Sequence, residues 1–444
     1  MHPRPTGAIA AVLGLLLLAG TAVAQSPSAP PPSAPPPSAI PTPTPTPDPL
    51  RDFQDQPGTD TTPGGLDWQQ VDGPTQARRA RLGDLMTWSG GFVAVEWRER
   101  RDGTERAPAV WSSPDGRAWT RAPLPRLDGD LLDIVPFRGG LALLAIDRRV
   151  ALSSNGRAYR ITVWRSDDAT TWRPTGTFGD TVPAAYVQGW RWSVRDPMTV
   201  NGRLVFIAHL QYSIGSGGWL GTPWAMRGAQ ARLSPGSGEE QLLAWSSRDG
   251  TTWSAAPVTG IGTAPTHTTW APEGVRAFDP KLHESRDGIA WERIAGSPPY
   301  YEWGGPDGLL WADGASLVFA DNGDPDGMEG CGNRLGVWRL ERDGWVKTLD
   351  RQAAAVNGAD ADGRTVILTG DSWCQPVDEN AEWSWILVSW DGGRTWDPET
   401  SWVGAPDTCV GDVAIHDGRA VLLACSVRSI GEPPHPAFWV ADLP

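Results

Sequence analysis

The stretch whose reading decides the fold is Val110-Trp111-Ser112-Ser113-Pro114-Asp115-Gly116-Arg117-Ala118-Trp119. It returns as VWRSDDATTW ending at Trp172, AWSSRDGTTW at Trp253, LHESRDGIAW at Trp291, VWRLERDGW at Trp345 and LVSWDGGRTW at Trp396. Leu66-Asp67-Trp68 is a minimal earlier copy. Steps between the closing tryptophans are 51, 53, 81, 38, 54 and 51 residues, a period near 51 with one insertion and one short unit. Such a period points to a ring of repeated β-sheets rather than a helical solenoid, provided each unit reads as strands.

Each unit does. Short apolar runs bounded by glycine precede the boxes: Gly91–Val95, Gly140–Ala145, Arg203–Ala208, Ser316–Ala320, Thr365–Leu368 and Ala420–Ala424. Runs of four to six residues are too short for buried helices and follow NG, DG and GG turn signals. A unit therefore reads as three strands, a box turn and a fourth strand. Inside the box, Ser and Asp side chains hydrogen-bond nearby amides. Gly takes a positive φ where a side chain would clash, and the Trp opens the outer strand and wedges between sheets.

Composition agrees. The 444 residues carry 38 Lys+Arg against 52 Asp+Glu, a net charge of −14, which argues against non-specific nucleic-acid binding. Gly 52 and Pro 42 suit a turn-rich chain, and 26 Trp against 5 Tyr and 8 Phe reflect the repeat. Arg4, the apolar run Ala8–Gly20 and Ala22-Val23-Ala24 read as a secretory signal peptide over 1–24. The apolar run is short for a bilayer span, and no other segment is apolar enough to cross one. Residues 25–65, with PSAPPPSAPPPSAI and PTPTPTPDP, read as a Pro/Ser/Thr-rich disordered linker. The folded domain is 66–444.

The segment Ser389-Trp390-Asp391-Gly392-Gly393-Arg394-Thr395-Trp396 resembles the Asp-box (BNR) pattern S-x-D-x-G-x-T-W at Ser389, Asp391, Gly393, Thr395 and Trp396. Ser113/Asp115/Gly116/Trp119, Ser247/Asp249/Gly250/Trp253 and Ser285/Asp287/Gly288/Trp291 fit a form one residue shorter. Ser166/Asp168/Trp172 has Ala169 for Gly, and Asp343/Gly344/Trp345 is degenerate. The resemblance implies an all-β chain forming a single β-propeller of the sialidase-like superfamily. Seven box-end tryptophans give seven four-stranded antiparallel blades, with six as the alternative because the Trp291 unit is short. Only three strands follow Trp396, so the fourth strand of the last blade comes from Asp67–Val71, closing the ring without an exposed edge.

In such a ring the 1–2 and 3–4 turns share one face, and the 2–3 and 4–1 connections share the other. The boxes, as 3–4 turns, are structural and lie away from the long connections. The opposite face gathers the residues expected to meet a ligand. Tyr186, Trp190, Trp192, Tyr212, Trp219, Trp224, Tyr300, Tyr301 and Trp303 are aromatics suited to stacking on sugars or peptide side chains, or to packing their own loops. Trp373 and Glu379 lie on the same face. Arg148 and Arg149 belong to a blade-two connection of balance +3, facing connections of −3 in blade five and −4 in blade six. Cys331, Cys374, Cys409 and Cys425 also fall there; of three connectivities, Cys331–Cys374 with Cys409–Cys425 is preferred for a secreted chain. Asp324 and Asp326 resemble part of a calcium loop but lack a twelfth-position carboxylate, so a solvated acidic turn and no cofactor are expected, with calcium the alternative.

Sialidase chemistry needs an arginine cluster, an acid/base Asp and a Tyr–Glu nucleophile. The Arg-Ile lookalike Arg160-Ile161 falls in a third strand, and no Tyr follows Tyr301. No phosphate loop, zinc spacing or nucleophile elbow is present. The expectation is a secreted, monomeric binding or scaffold propeller for a glycan or extracellular protein, the alternative being a divergent glycoside hydrolase.

Overall fold

The computed structural model describes residues 65–444 apart from 72–80, 100–104, 128–129, 148–150, 153–155, 158–159, 179–189, 195–196, 213–240, 263–264, 266, 280, 300–305, 323–333, 353–354, 373–382, 398–407 and 427–434. Strands and tight turns, with no α-helix, make up these residues. They form seven antiparallel sheets arranged as a seven-bladed β-propeller, and a two-stranded hairpin, Ala151–Leu152 with Gly156–Arg157, in the blade-two connection.

From the axis outward, blade one is Arg81–Trp88, Gly91–Glu99, Glu105–Ser113 and Thr120–Pro123. Blade two is Asp130–Phe137, Gly140–Asp147, Arg160–Ser166 and Arg173–Phe178. Blade three has a split inner strand, Trp190–Val194 and Met198–Val200, then Arg203–Tyr212, Gln241–Ser247 and Ser254–Pro257. Blade four is His267–Ala271, Gly274–Asp279, Lys281–Ser285 and Glu292–Ala295. Blade five is Pro306–Ala312, Ala315–Asn322, Arg334–Glu341 and Gly344–Gln352. Blade six shows Ala355–Asp362, Thr365–Ser372 and Trp383–Ser389, with the Asp397 amide already bonded to the Val388 carbonyl at 3.1 Å. Blade seven is Thr408–His416, Arg419–Ser426 and His435–Asp442, completed on the outside by Gln69–Val71.

The N-terminal strand closes the ring as its sequence position requires. Gln69, Gln70 and Val71 pair with Val440, Trp439 and Phe438. Leu66 and Trp68 are buried in a core shared by blades six and seven. At the seam with blade one, the Arg117 guanidinium donates to Gln69 Oε1 at 2.8 Å and Asp442 Oδ2 at 2.9 Å. Arg419 answers by donating to Asp442 Oδ1 and to the Asp115 carbonyl.

All seven box-end tryptophans sit in cores shared with the preceding blade. Trp119 stacks on Phe438 of blade seven with centroids 3.8 Å apart, and Trp253 stacks on Phe178 of blade two at 3.9 Å. Trp345 donates to the Gly296 carbonyl beyond blade four, and Trp396 to Thr348 Oγ1 of blade five. Trp172 and Trp291 join the cores between blades one and two and between three and four. Only Trp68 and Trp291 are buried; the rest are half-buried, with one face covered by the neighbour.

The expectation that Trp190, Trp192 and Tyr212 sit on loops needs correction. Thr175–Phe178 completes the outer strand of blade two, and Trp190–Val194, which includes Trp190 and Trp192, is a strand. Its partner Arg203–Tyr212 is ten residues long, so its distal half offers an inner ladder edge that this strand fills, Trp190 opposite Tyr212. Pro197, lacking an N–H, stands where the inner strand breaks in two. Tyr212 likewise lies in a strand rather than a loop.

Candidate functional site

The box turns are described almost completely, and their chemistry is internal. In each, the Ser hydroxyl donates to Asp Oδ1: Ser113 to Asp115, Ser166 to Asp168, Ser247 to Asp249, Ser285 to Asp287 and Ser389 to Asp391. The same carboxylate oxygen accepts two backbone amides further on, for example Thr251 and Thr252 at 2.8 and 2.7 Å. Those amides are the chief reason that the Asp115, Asp168 and Asp249 carboxyls are held below their ordinary range. For Asp287 and Asp391, burial opposes the charge and the turn's own donors outweigh it. Thr395 Oγ1 adds a bond to Asp391 Oδ2 at 2.6 Å.

The glycine of the box answers a second demand in three of the turns. Gly116 has φ +73°, and a Cβ there would lie 2.4 Å from Val421 Cγ2 of blade seven. At Gly393 it would meet Leu317 of blade five at 2.4 Å, and at Gly288, Val205 of blade three at 2.9 Å. Gly250 corrects the expectation that a side chain would clash at every box glycine. It is buried and has φ +76°, yet a Cβ there would lie 3.5 Å from Thr175 Oγ1 and 3.6 Å from Phe137 Cε1, ordinary contact distances. Blade two makes the room: it meets Gly250 with an aromatic edge and with Gly176, rather than with a branched aliphatic side chain. Only the backbone angle asks for glycine at Gly250. Its amide donates to Ser247 Oγ at 2.8 Å, and its carbonyl accepts Thr175 Oγ1 of blade two at 3.1 Å. Blade two tolerates Ala169 at the equivalent place, at φ 57° and fully buried in the core with blade one. Every box element is thus engaged in turn geometry, in the neighbouring blade or in both.

Strand direction places the 2–3 and 4–1 connections at the other face. Arg148, Arg149, Tyr186, Trp219, Trp224, Tyr300, Tyr301, Trp303, Asp324, Asp326, Cys331, Trp373, Cys374 and Glu379 lie outside the described residues. Cys409 and Cys425 are direct partners in the ladder between the first two strands of blade seven. Among the described residues, no group of three or more His, Cys, Asp or Glu is arranged to hold a metal ion.

What the repeat pattern did not reveal lies on the inner strands. Their inward edges have no further strand, and polar side chains tie them to the next blade instead. Asn357 Nδ2 donates to the Val410 carbonyl at 2.7 Å, the Ile415 amide to Asp360 Oδ2 at 2.7 Å, and the Leu85 amide to Asp412 Oδ2 at 3.2 Å. Thr199 Oγ1 reaches the Pro136 carbonyl. Most inner strands carry a bulge near the loop-face end, and Asp84, Asp133, Asp307, Asn357 and Asp412 lie in or beside these bulges. Asp360, ringed by protein and beside Asp362, is pushed up to about 7 by desolvation, against the pull of the Ile415 and Ala361 amides.

Blade one differs from the others at this end. Glu96 is fully buried and accepts from Arg121 Nε at 2.7 Å and Nη2 at 3.0 Å, from Trp111 Nε1 at 3.0 Å and from Arg98 Nε at 2.8 Å. Burial alone would raise this carboxyl; Arg121, then Trp111 and the charge of Arg98, bring it below its ordinary value. Between Glu96 and Arg98 the ladder to the third strand slips, with Trp97 at the slip. No other ladder between second and third strands is interrupted among the described residues. The Trp97 indole donates from Nε1 to Asp84 Oδ2 at 2.8 Å, and Asp84 is itself bulged, with φ 53°.

No family model matches this chain, and no curated protein matches it. Solved structures resemble it in fold. An acylaminoacyl peptidase in complex with Z-Gly-Gly-Phe-chloromethyl ketone is 12% identical, with a TM-score of 0.46 over 83% of this chain and 52% of that one. This chain therefore spans about half the length of that peptidase. The β-propeller domain of the Trilobed protease from Pyrococcus furiosus is 11% identical, with a TM-score of 0.43 over 81% and 95% of the two chains. An α-L-arabinofuranosidase of Fusarium graminearum in complex with arabinobiose is 11% identical, with a TM-score of 0.37 over 84% and 96%.

Proposed function

We propose that this chain is a secreted binding or scaffold propeller that presents its loop face to a glycan or an extracellular protein. The observation that supports this is the unequal division of work between the two faces. On the box face, short turns consume their own polar groups and pack on the preceding blade. Every long connection, and the oriented pair Asp84–Trp97, falls at the other end. Loops on a rigid scaffold are where binding residues concentrate.

The same reading takes 1–24 as a cleaved signal peptide, 25–65 as a linker and the box turns as Asp boxes. It also takes the opposed charges of Arg148 and Arg149 against the connections of blades five and six as a steering field. Cys409 and Cys425 are proposed as a disulfide, because direct ladder partners bring Cα atoms within bridging range. A glycan array probed with the full chain, followed by competition with loop-face variants, tests the proposal. Array binding unaffected by every loop-face substitution would reject it. Release of reducing sugar from a bound polysaccharide would favour a divergent glycoside hydrolase, which carboxylates lining the mouth could serve.

A further inference from the structure

We propose that Trp97 and Asp84 form a saccharide subsite at the loop-face mouth of the channel, taking a neutral pyranose on the indole face with its hydroxyls on the Asp84 carboxylate. The inference rests on the loop-face reading above and assigns it a place and a ligand chemistry.

Two bulges of blade one, on its first and third strands, flank the second strand and carry it. Bulges re-aim side chains and are enriched beside functional sites. Here the inner-strand bulge holds Asp84 and Leu85, and the third-strand bulge, Ala107 and Pro108, stands opposite the single residue Trp97. The bulge opposite Trp97 is the one interruption of a second-to-third-strand ladder among the described residues. A buried charge fixes the strand opposite it: Glu96 Oε1 takes Arg98 Nε at 2.8 Å across Trp97, while Arg121 and Trp111 anchor Glu96 from the outer strands. A buried carboxylate with two arginines is a costly way to fix two residues, so the position of what lies between them matters.

Asp84 lies in the inner-strand bulge itself. At φ 53° it occupies backbone space that a glycine would occupy without strain. Asp412 of blade seven holds the next amide, that of Leu85, so the bulge is fixed from the neighbouring blade. The exposed carboxylate is oriented by the indole N–H at 2.8 Å, and Oδ1 takes no hydrogen bond among the described residues. The carboxylate therefore lies at the indole's edge rather than over its face. A sugar ring stacked on that face would bring its rim hydroxyls to Oδ1, combining apolar contact with charge-assisted hydrogen bonds. Trp and Asp could also suit an organic cation, but the Arg98 guanidinium next in sequence disfavours one.

The test is calorimetric titration of the full chain with cellohexaose, xylohexaose, mannohexaose and chitohexaose, and with tetramethylammonium. We expect millimolar or tighter binding of at least one hexaose, weakened more than about tenfold by Trp97→Ala and only a few-fold by Trp97→Phe, which keeps a stacking face. Asp84→Asn should weaken it about tenfold, the usual scale for a hydrogen bond to a charged group. Asp84→Gly separates function from structure: it should lose affinity while the melting temperature holds or rises, whereas a merely structural Asp84 would lower it. A hexaose that binds equally to all four variants rejects the subsite and leaves the loop-face reading standing. Binding of tetramethylammonium in place of any sugar overturns the ligand class. Absence of binding by every hexaose rejects the subsite together with the glycan half of the reading.

Discussion

Replacing Gly116 by alanine tests whether the box turn is built for the blade behind it. At φ +73° a Cβ costs about 1–2 kcal/mol in backbone strain. It would also lie 2.4 Å from Val421 Cγ2 and 3.4 Å from Val440 Cγ2. Carbon atoms rest at about 3.5–4.0 Å, so Val421 would have to retreat by more than an ångström. It has little room, being fully buried, β-branched and laddered between Ala414 and Val440. Overpacking of that kind costs about 1–3 kcal/mol, for a total of roughly 2–5 kcal/mol. Gly250→Ala is the control, since it adds the strain of about 1–2 kcal/mol without the clash. Ala169→Gly is the reciprocal experiment. It relieves strain of about 1–2 kcal/mol, but it removes a buried methyl worth about 0.8 kcal/mol and frees the unfolded chain by a similar amount. The net should lie within about 1 kcal/mol of zero. Urea unfolding followed by tryptophan fluorescence should show the Gly116 variant's midpoint lowered by roughly 1 M at an unchanged slope, the Gly250 variant's lowered less and the Ala169 variant's barely moved. Equal, small shifts for the two glycine variants would mean that box glycines serve the turn alone and that the contact with the preceding blade is incidental.

Three further outcomes are expected. Stability should peak in mild acid. The box carboxylates, with folded values below the unfolded ones, contribute above about pH 4 and lose that contribution as pH falls through their folded values, while Asp360, raised to about 7, erodes stability as pH climbs from about 4 to 7. Melting curves across pH should therefore flatten on the alkaline side in Asp360→Asn and on the acid side in Asp391→Asn. Glu96→Gln should cost about 1–3 kcal/mol in chemical unfolding, because it turns the charge-assisted hydrogen bonds of Arg121 and Arg98 into weaker ones to a neutral amide, while both arginines keep partial access to water. Deleting residues up to Thr62 should leave the melting temperature unchanged, whereas extending the deletion through Asp72 removes Leu66, Trp68 and the closing strand and should cost about 5 kcal/mol or more; equal melting of the two truncations would refute the closure.

The repeat made the blades legible because it is carried by residues with local work. Ser389 and Asp391 make their turn within five residues, and a spacing near 51 counts the turns. The closing strand was legible for the same reason, as Trp68 is a box-end residue without a box. Which box glycines also face a crowding neighbour was not legible: Gly116 and Gly250 sit in the same motif, and only the blade behind tells them apart. Trp190–Val194 was misread because a strand that only fills the distal half of a long neighbour has no turn signal of its own. The Glu96 cluster was hidden by sequence distance: Arg121 lies 25 residues away, on a strand whose register no periodicity fixes. Asp84, Asp307, Asn357 and Asp412 left a faint trace, an acid or amide next to glycine early in most units, which reads as an ordinary turn until the ladder shows a bulge. Most of the aromatics and charges expected at the ligand face fall in connections that carry no repeat.

That last point follows from how the ring is held. Box tryptophans and most box glycines lean on the preceding blade, and arginines such as Arg339 and Arg419 reach forward to the next box's carbonyls. Load therefore passes from blade to blade along the box half of the ring, and the last step is made good by Gln69–Val71 and the Arg117–Asp442 bridge. A connection at the opposite end can lengthen, as between Tyr212 and Gln241, while the ladder beside it stays in register from Leu204 to Leu210. Selection for folding then acts on the periodic half of each unit and selection for binding on the aperiodic half. A repeat that announces the architecture so clearly must for that reason be nearly silent about the ligand. The exception should be a residue whose geometry departs from that of its described counterparts, and Asp84, the one inner-strand bulge residue at positive φ, beside Trp97, which faces the one interrupted second-to-third ladder, is such a departure.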